Sequence, residues 1–93
     1  MNVTLDDLVR LRRLAADMLH ALDPATLTGA QAQGWLDAVD AFDAAAAAYV
    51  ARQFRGQRWA GWRLLVNDWT GEVLFVSATG RGWRVLREPG ERA

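Results

Sequence analysis

The chain offers little to a catalytic mechanism: one histidine, three carboxylates spaced three residues apart, and one glycine-flanked arginine. His20 falls on the solvated side of a helical pattern, and no Cys, Ser or second His is spaced with it as nucleophile or base partner. Asp37, Asp40 and Asp43 drift around a helix and match neither a calcium loop nor a His-containing zinc pattern. Gly80-Arg81-Gly82 follows a strand but opens another strand, so no helix N-terminus stands behind it to receive phosphate. A tight turn accounts for both glycines. No catalytic residue, metal ligand set, cofactor or small-molecule substrate emerges, and the expectation is a protein that is not an enzyme.

Asp43 is the carboxylate with an unusual setting. On a helical wheel it falls inside an apolar stripe beside Val39, Phe42, Ala46 and Ala47. A buried carboxylate needs a partner, and arginine is the natural one. Arg12, Arg63 or Arg84 would supply it, so Asp43 is expected in a buried ion pair.

A second constellation is aromatic and basic: Arg55, Arg58, Trp59, Trp62, Arg63, Trp69, Arg81, Trp83 and Arg84. Trp and Arg dominate hot spots at protein interfaces. The same residue types serve single-stranded nucleic acid, with rings stacking on bases and Arg following phosphates. Trp62 is expected in the core. Trp59 and Trp69 fall in loops or turns and are expected as exposed anchors. No RNA-recognition, KH, zinc-finger or helix-turn-helix signature accompanies them, so nucleic acid ranks second as a partner.

The elements that must position these residues follow from periodicity. Ninety-three residues fit one domain. The hydrophobic fraction of 52% and five Trp suffice for a core, yet folding at this size hides only about two-thirds of the chain's surface, so burial by association is common. Three Arg against seven Asp leave residues 1–50 with a net charge of −4, and eight Arg against one Asp and three Glu give residues 51–93 a charge of +4. Lys and Ile are missing, a bias that the codon usage of a high-GC bacterial or phage genome produces without any phosphate-binding role. No apolar run approaches the roughly 20 residues that span a bilayer. The acidic start, Met1 to Asp7, does not read as a signal peptide, and the expected location is the cytoplasm; with no Cys the redox compartment is not diagnosed.

Thr4, with Asp7 three residues on, caps a helix expected over 5–22, whose apolar side carries Leu5, Leu8, Leu11, Leu14, Ala15, Met18, Leu19 and Leu22. Asp23-Pro24 ends it. Thr28 and Gln31 repeat the capping signal for a helix over 28–54, with Ala32, Trp35, Leu36, Val39, Phe42, Ala46, Tyr49, Val50 and Phe54 as its stripe. After Gly56 the period drops to two, and Trp62–Asn67, Glu72–Ala78 and Trp83–Arg87 read as strands, with residues 88–93 as a frayed tail. The fold class is α+β: an N-terminal αα-hairpin packed on a C-terminal three-stranded antiparallel meander.

Pairing the strands with Asn67 opposite Glu72 and Ala78 opposite Trp83 places Trp62, Leu64, Val66, Val73, Phe75 and Leu86 on one sheet face. The other face carries Leu65, Leu74, Val76, Ala78, Trp83 and Val85. An antiparallel sheet with one wet face alternates apolar and polar residues; this one does not. A short helical hairpin covers one face, and the second is expected to meet another copy of the chain or another protein. Two other arrangements would cover it: the helices splitting to opposite sides, or long Arg stems lying across it.

Leu65-Val66-Asn67-Asp68 and, after a hairpin, Gly82-Trp83-Arg84-Val85 resemble the sheet of the MbtH-like proteins, small partners of nonribosomal peptide synthetase adenylation domains. The resemblance spans the last third of the chain and implies an accessory protein. The family's Ser-Leu-Trp-Pro segment is replaced here by Val73-Leu74-Phe75-Val76, and the family's helix follows its sheet, whereas here both helices precede it.

The leading expectation is a protein-binding or assembly module, a homodimer or a small adaptor or inhibitor, with Leu65, Leu74, Val76, Trp83 and Val85 as the surface and Trp59, Trp69, Arg58 and Arg63 as anchors. A nucleic-acid-associated regulator using the basic, aromatic half is the alternative, and an MbtH-like accessory protein a weaker one.

Overall fold

The structure, a computed structural model, describes residues 2–90. Two helices, α1 (Leu5–His20) and α2 (Gly29–Gln53), precede a single 3-10 turn (Gln57–Trp59) and three strands, β1 (Arg63–Val66), β2 (Val73–Val76) and β3 (Trp83–Arg87). The strands form an antiparallel meander in the order β1-β2-β3, so the fold is α+β with an N-terminal helical hairpin. Among the described residues no helix is long and apolar enough to cross a membrane.

Both helices begin as their capping signals dictate. The Thr4 hydroxyl accepts from the Asp7 backbone N–H while the Asp7 carboxylate accepts from Thr4 N–H. Thr28 and Gln31 repeat this exchange. Each box satisfies two donors that the first turn of a helix leaves unpaired. The bonds with Thr4, led by the one from its N–H, hold the Asp7 carboxyl below its ordinary pKa, with Arg10 adding its charge.

The helices cross closely where side chains are small. A Cβ added at Gly34 on α2 would lie 3.2 Å from Met18 Cε on α1. Beyond the sheet, however, the hairpin has no third layer. Leu8 and Ala15 are the buried residues of α1, and Ala38 is the one of α2. Leu14, Leu19 and Leu36, assigned above to buried stripes, are exposed. The 25 residues of α2 span about 38 Å at 1.5 Å per residue, longer than α1 or the short strands can cover.

The β1–β2 register is the expected one, with Leu64 opposite Phe75, Leu65 opposite Leu74 and Val66 opposite Val73. The β2–β3 register differs. Val76 lies opposite Trp83 and Leu74 opposite Val85, whereas Val76 was expected opposite Val85. Ser77 explains the shift: its N–H donates to Gly82 O at 2.9 Å, and its Oγ accepts from Gly82 N–H at 3.1 Å. The turn therefore closes one residue earlier on each strand. A slip of two leaves every side chain on its expected face.

A second departure has larger consequences. Leu74 pairs with Val85, but Val73 pairs with Arg87, so Leu86 and Arg87 together oppose one residue. This is a β-bulge, which re-aims the side chains around it. It brings Arg87 to 8% exposure, with Nη1 2.5 Å from Asp6 Oδ1 on α1. Among the described residues the ion pair that reaches the core is thus Arg87–Asp6, buried at its arginine end and exposed at Asp6. Asp43, expected in that role, is exposed on α2 and makes no ion pair among the described residues. The wheel placed it correctly beside apolar neighbours, but α2 turns that flank to a groove along β1 and not into the core.

The tail also departs from expectation. Gly90 N–H donates to Thr70 O at 2.7 Å, which ties the segment after β3 to the β1–β2 loop. The rest of the expected frayed tail, residues 91–93, lies outside the described residues.

Candidate protein-binding surface

The two sheet faces carry similar residues and meet different fates. On the covered face, Val73 and Phe75 are 0% exposed and Leu64 and Val66 are half-buried. Phe54, the C-cap of α2, stacks on Phe75 with ring centroids 4.1 Å apart. Trp59 and Trp62 complete the layer, each 5.3 Å or less from the Phe75 centroid and in edge contact with one another at 4.9 Å. Aromatic pairs at these separations prefer edge-to-face and offset geometry.

Arginines close this layer from outside. Arg58 lies 4.5 Å and Arg84 5.4 Å from the centroid of Trp59, and Arg84 also reaches Phe54 at 5.8 Å. A guanidinium over an aromatic face gains from the ring quadrupole. Trp59 was expected as an exposed anchor. It is instead half-buried, because the 3-10 turn folds it back onto Phe75. Arg58 goes with it. Close approach of the chain makes this return possible: at Gly61, with φ of 80°, an added Cβ would sit 2.9 Å from Ala78 Cβ.

Neither helix lies over the opposite face. α1 reaches the sheet through Asp6 at Arg87 and through Arg13, whose Nη2 donates to Asp68 O at 2.8 Å. α2 reaches it through Phe54 at Phe75 and along the β1 edge. Consequently Trp83 is 64%, Leu65 52% and Val85 43% exposed, while Leu74 and Val76 between them are half-buried by their neighbours. The helices do not split to opposite sides. Arg84 points to the aromatic layer and Arg87 into the core, so neither stem lies across the second face.

The apolar rungs of this bare face run Arg63–Val76–Trp83 and Leu65–Leu74–Val85, and Asn67 and Glu72 close it at the loop end. Arg63 is exposed and Glu72 half-buried, and neither forms an ion pair among the described residues.

Trp69, the other expected anchor, is 86% exposed at the tip of the β1–β2 loop. Its backbone is held firmly. Asn67 Oδ1 accepts from Trp69 N–H at 2.9 Å and Thr70 N–H at 3.1 Å, and Gly71, at φ of 80°, returns its N–H to Asn67 O at 2.8 Å. Asn in this position mimics a backbone turn. The sequence signal for this loop is the Asn67 side chain. Trp69 stands beside Val9, Arg10 and Arg13 of α1 and is not part of the apolar sheet face.

The residues expected to act together therefore divide. Leu65, Leu74, Val76, Trp83, Val85 and Arg63 share one surface; Trp59 belongs to the covered layer with Arg58 exposed over its ring; Trp69 is separate. His20 ends α1 in solvent, and among the described residues no three His, Cys, Asp or Glu cluster as metal ligands would. No known family, curated protein or solved structure matches the chain.

Proposed function

We propose that this protein is a non-enzymatic binding module whose contact surface is the bare sheet face of Leu65, Leu74, Val76, Trp83 and Val85. One observation carries the reading: an antiparallel sheet that is apolar on both faces has its helices on one side only. An apolar face of this kind loses free energy in water at about 25 cal/mol for each Å² left uncovered, and a protein partner removes that cost. Trp83, two-thirds exposed on the edge strand beside Val76 and Val85, has the character of an interface anchor. Nucleic acid is less well supported, because Trp59 and Trp62 face the core and two of the arginines nearby are engaged with aromatic rings.

The test is affinity capture with wild-type, Leu74→Arg and Trp83→Arg proteins as baits, after thermal melts show all three folded. The expected result is an associating protein, this chain included, that binds wild type and is lost with both variants. Capture of the same set by all three baits, or none by any, overturns the reading.

A further inference from the structure

We infer that the occupant of the bare face is a second copy of this chain, packed face to face about a two-fold axis that runs along the Leu65–Leu74–Val85 rung. This rests on the reading above that the face is a contact surface. Three observations bear on it: the exposed area leaves room for a partner, and the symmetry and charge of the face point to a copy and specify how it sits.

The first is area. A folded monomer of 10.3 kDa exposes about 5,400 Å² by the usual scaling with mass. This chain exposes 6614 Å², roughly 1,200 Å² more. A standard-sized interface removes about 800 Å² from each partner, less than that excess, which the bare face shares with exposed Leu14, Leu19 and Leu36 of the helices.

The second is the symmetry of the face. Leu65, Leu74 and Val85 form its middle rung. Their apolar side chains can meet their own equivalents across a two-fold axis without pairing unlike groups, as a self-complementary interface requires.

The third is charge, and it selects the orientation. Arg63 lies at one end of the face and Glu72 at the other, with the apolar rung between them. An axis along the middle rung reverses the strands of the second copy and lays its Asn67–Glu72 end over Arg63. Glu72 of that copy then lies one strand spacing, about 4.8 Å, to the side of the position facing Arg63, within the reach of an arginine side chain. The relation repeats symmetrically, giving two Arg63–Glu72 pairs. A two-fold axis along β2 would also lay β2 over β2 but without reversing it, and so set Glu72 against Glu72. Like charges facing each other disfavour it.

The experiment is sedimentation equilibrium on wild type, Leu74→Arg, Arg63→Glu, Glu72→Arg and the double variant Arg63→Glu/Glu72→Arg. Wild type is expected to dimerise and Leu74→Arg to be monomeric. Each single charge reversal should weaken the dimer by at least about tenfold at low salt, and the double reversal should restore it to within about threefold of wild type. A wild type that stays monomeric at every concentration overturns the proposal. A dimer that survives Leu74→Arg overturns both the proposal and the assignment of the contact surface. A dimer that Leu74→Arg dissociates but the double reversal fails to restore overturns the two-fold arrangement alone.

Discussion

The covered and bare faces of the sheet differ little in composition and greatly in environment. Val73 and Phe75 alternate along β2 with Leu74 and Val76, four apolar residues in succession. Val73 and Phe75 are fully buried, Phe75 against Phe54 and two tryptophans; the second pair has no element above it. Hydrophobicity thus dictates that a face be covered but not by what. Connectivity decides that part. Two helices joined by a short link and leading directly into the strand region through Phe54 and Trp59 stay on the side where the chain enters. The face behind stays exposed.

The sharpest way to break this contrast is to remove matching apolar groups from each side. Phe75→Ala takes out the ring on which Phe54, Trp59 and Trp62 converge, and should cost about 3–5 kcal/mol in urea unfolding. Arg87→Ala comes next. It strips the stem packed under the bulge and leaves Asp6 without its partner, an expected loss of about 2 kcal/mol by the same measurement. Arg87→Met should recover part of it, because the stem packing returns while the charge pair does not.

Leu65→Thr, on the bare face, should change unfolding free energy by less than about 0.5 kcal/mol at a concentration too dilute for association. At high concentration its effect should grow, since a bound partner adds stability by mass action. A dilute-solution loss comparable to that of Phe75→Ala would mean that the face is covered within the monomer.

The smallest effect expected is a pH dependence at Tyr49, whose phenol is pushed above its ordinary value of 10.0 by burial on α2. The native state holds that proton more tightly than the unfolded chain. Its contribution to stability is therefore complete below the ordinary value and lost as pH rises through the folded one. Thermal melts across that alkaline range should fall less steeply for Tyr49→Phe than for wild type. Equal slopes would show that Tyr49 is as well hydrated as in the unfolded chain.

Much of the architecture was legible because its causes are local. Thr4 with Asp7 and Thr28 with Gln31 carry the helix starts within four residues each. The change from a period of 3.6 to a period of 2 after Gly56 marks the switch from helix to strand. The site was legible in part for the same reason: alternation assigns Leu65, Leu74, Val76, Trp83 and Val85 to one face whichever register β3 adopts in steps of two. Trp59 was misplaced because a residue between helix and strand can face either way, and Phe75, sixteen positions later, is what draws it in. Asp43 was misplaced because a helical wheel gives the angle between side chains and not the direction in which the helix is laid down.

By itself, then, the sequence determined the elements, their order and the double-sided apolar character of the sheet, since capping, periodicity and side-chain alternation act over a few residues. Only the tertiary structure decided which face the helices cover, that a bulge turns Arg87 onto Asp6, and that Trp59 joins the core while Trp69 stays out. Each of these depends on contacts between residues far apart in the chain, whose geometry no local pattern encodes.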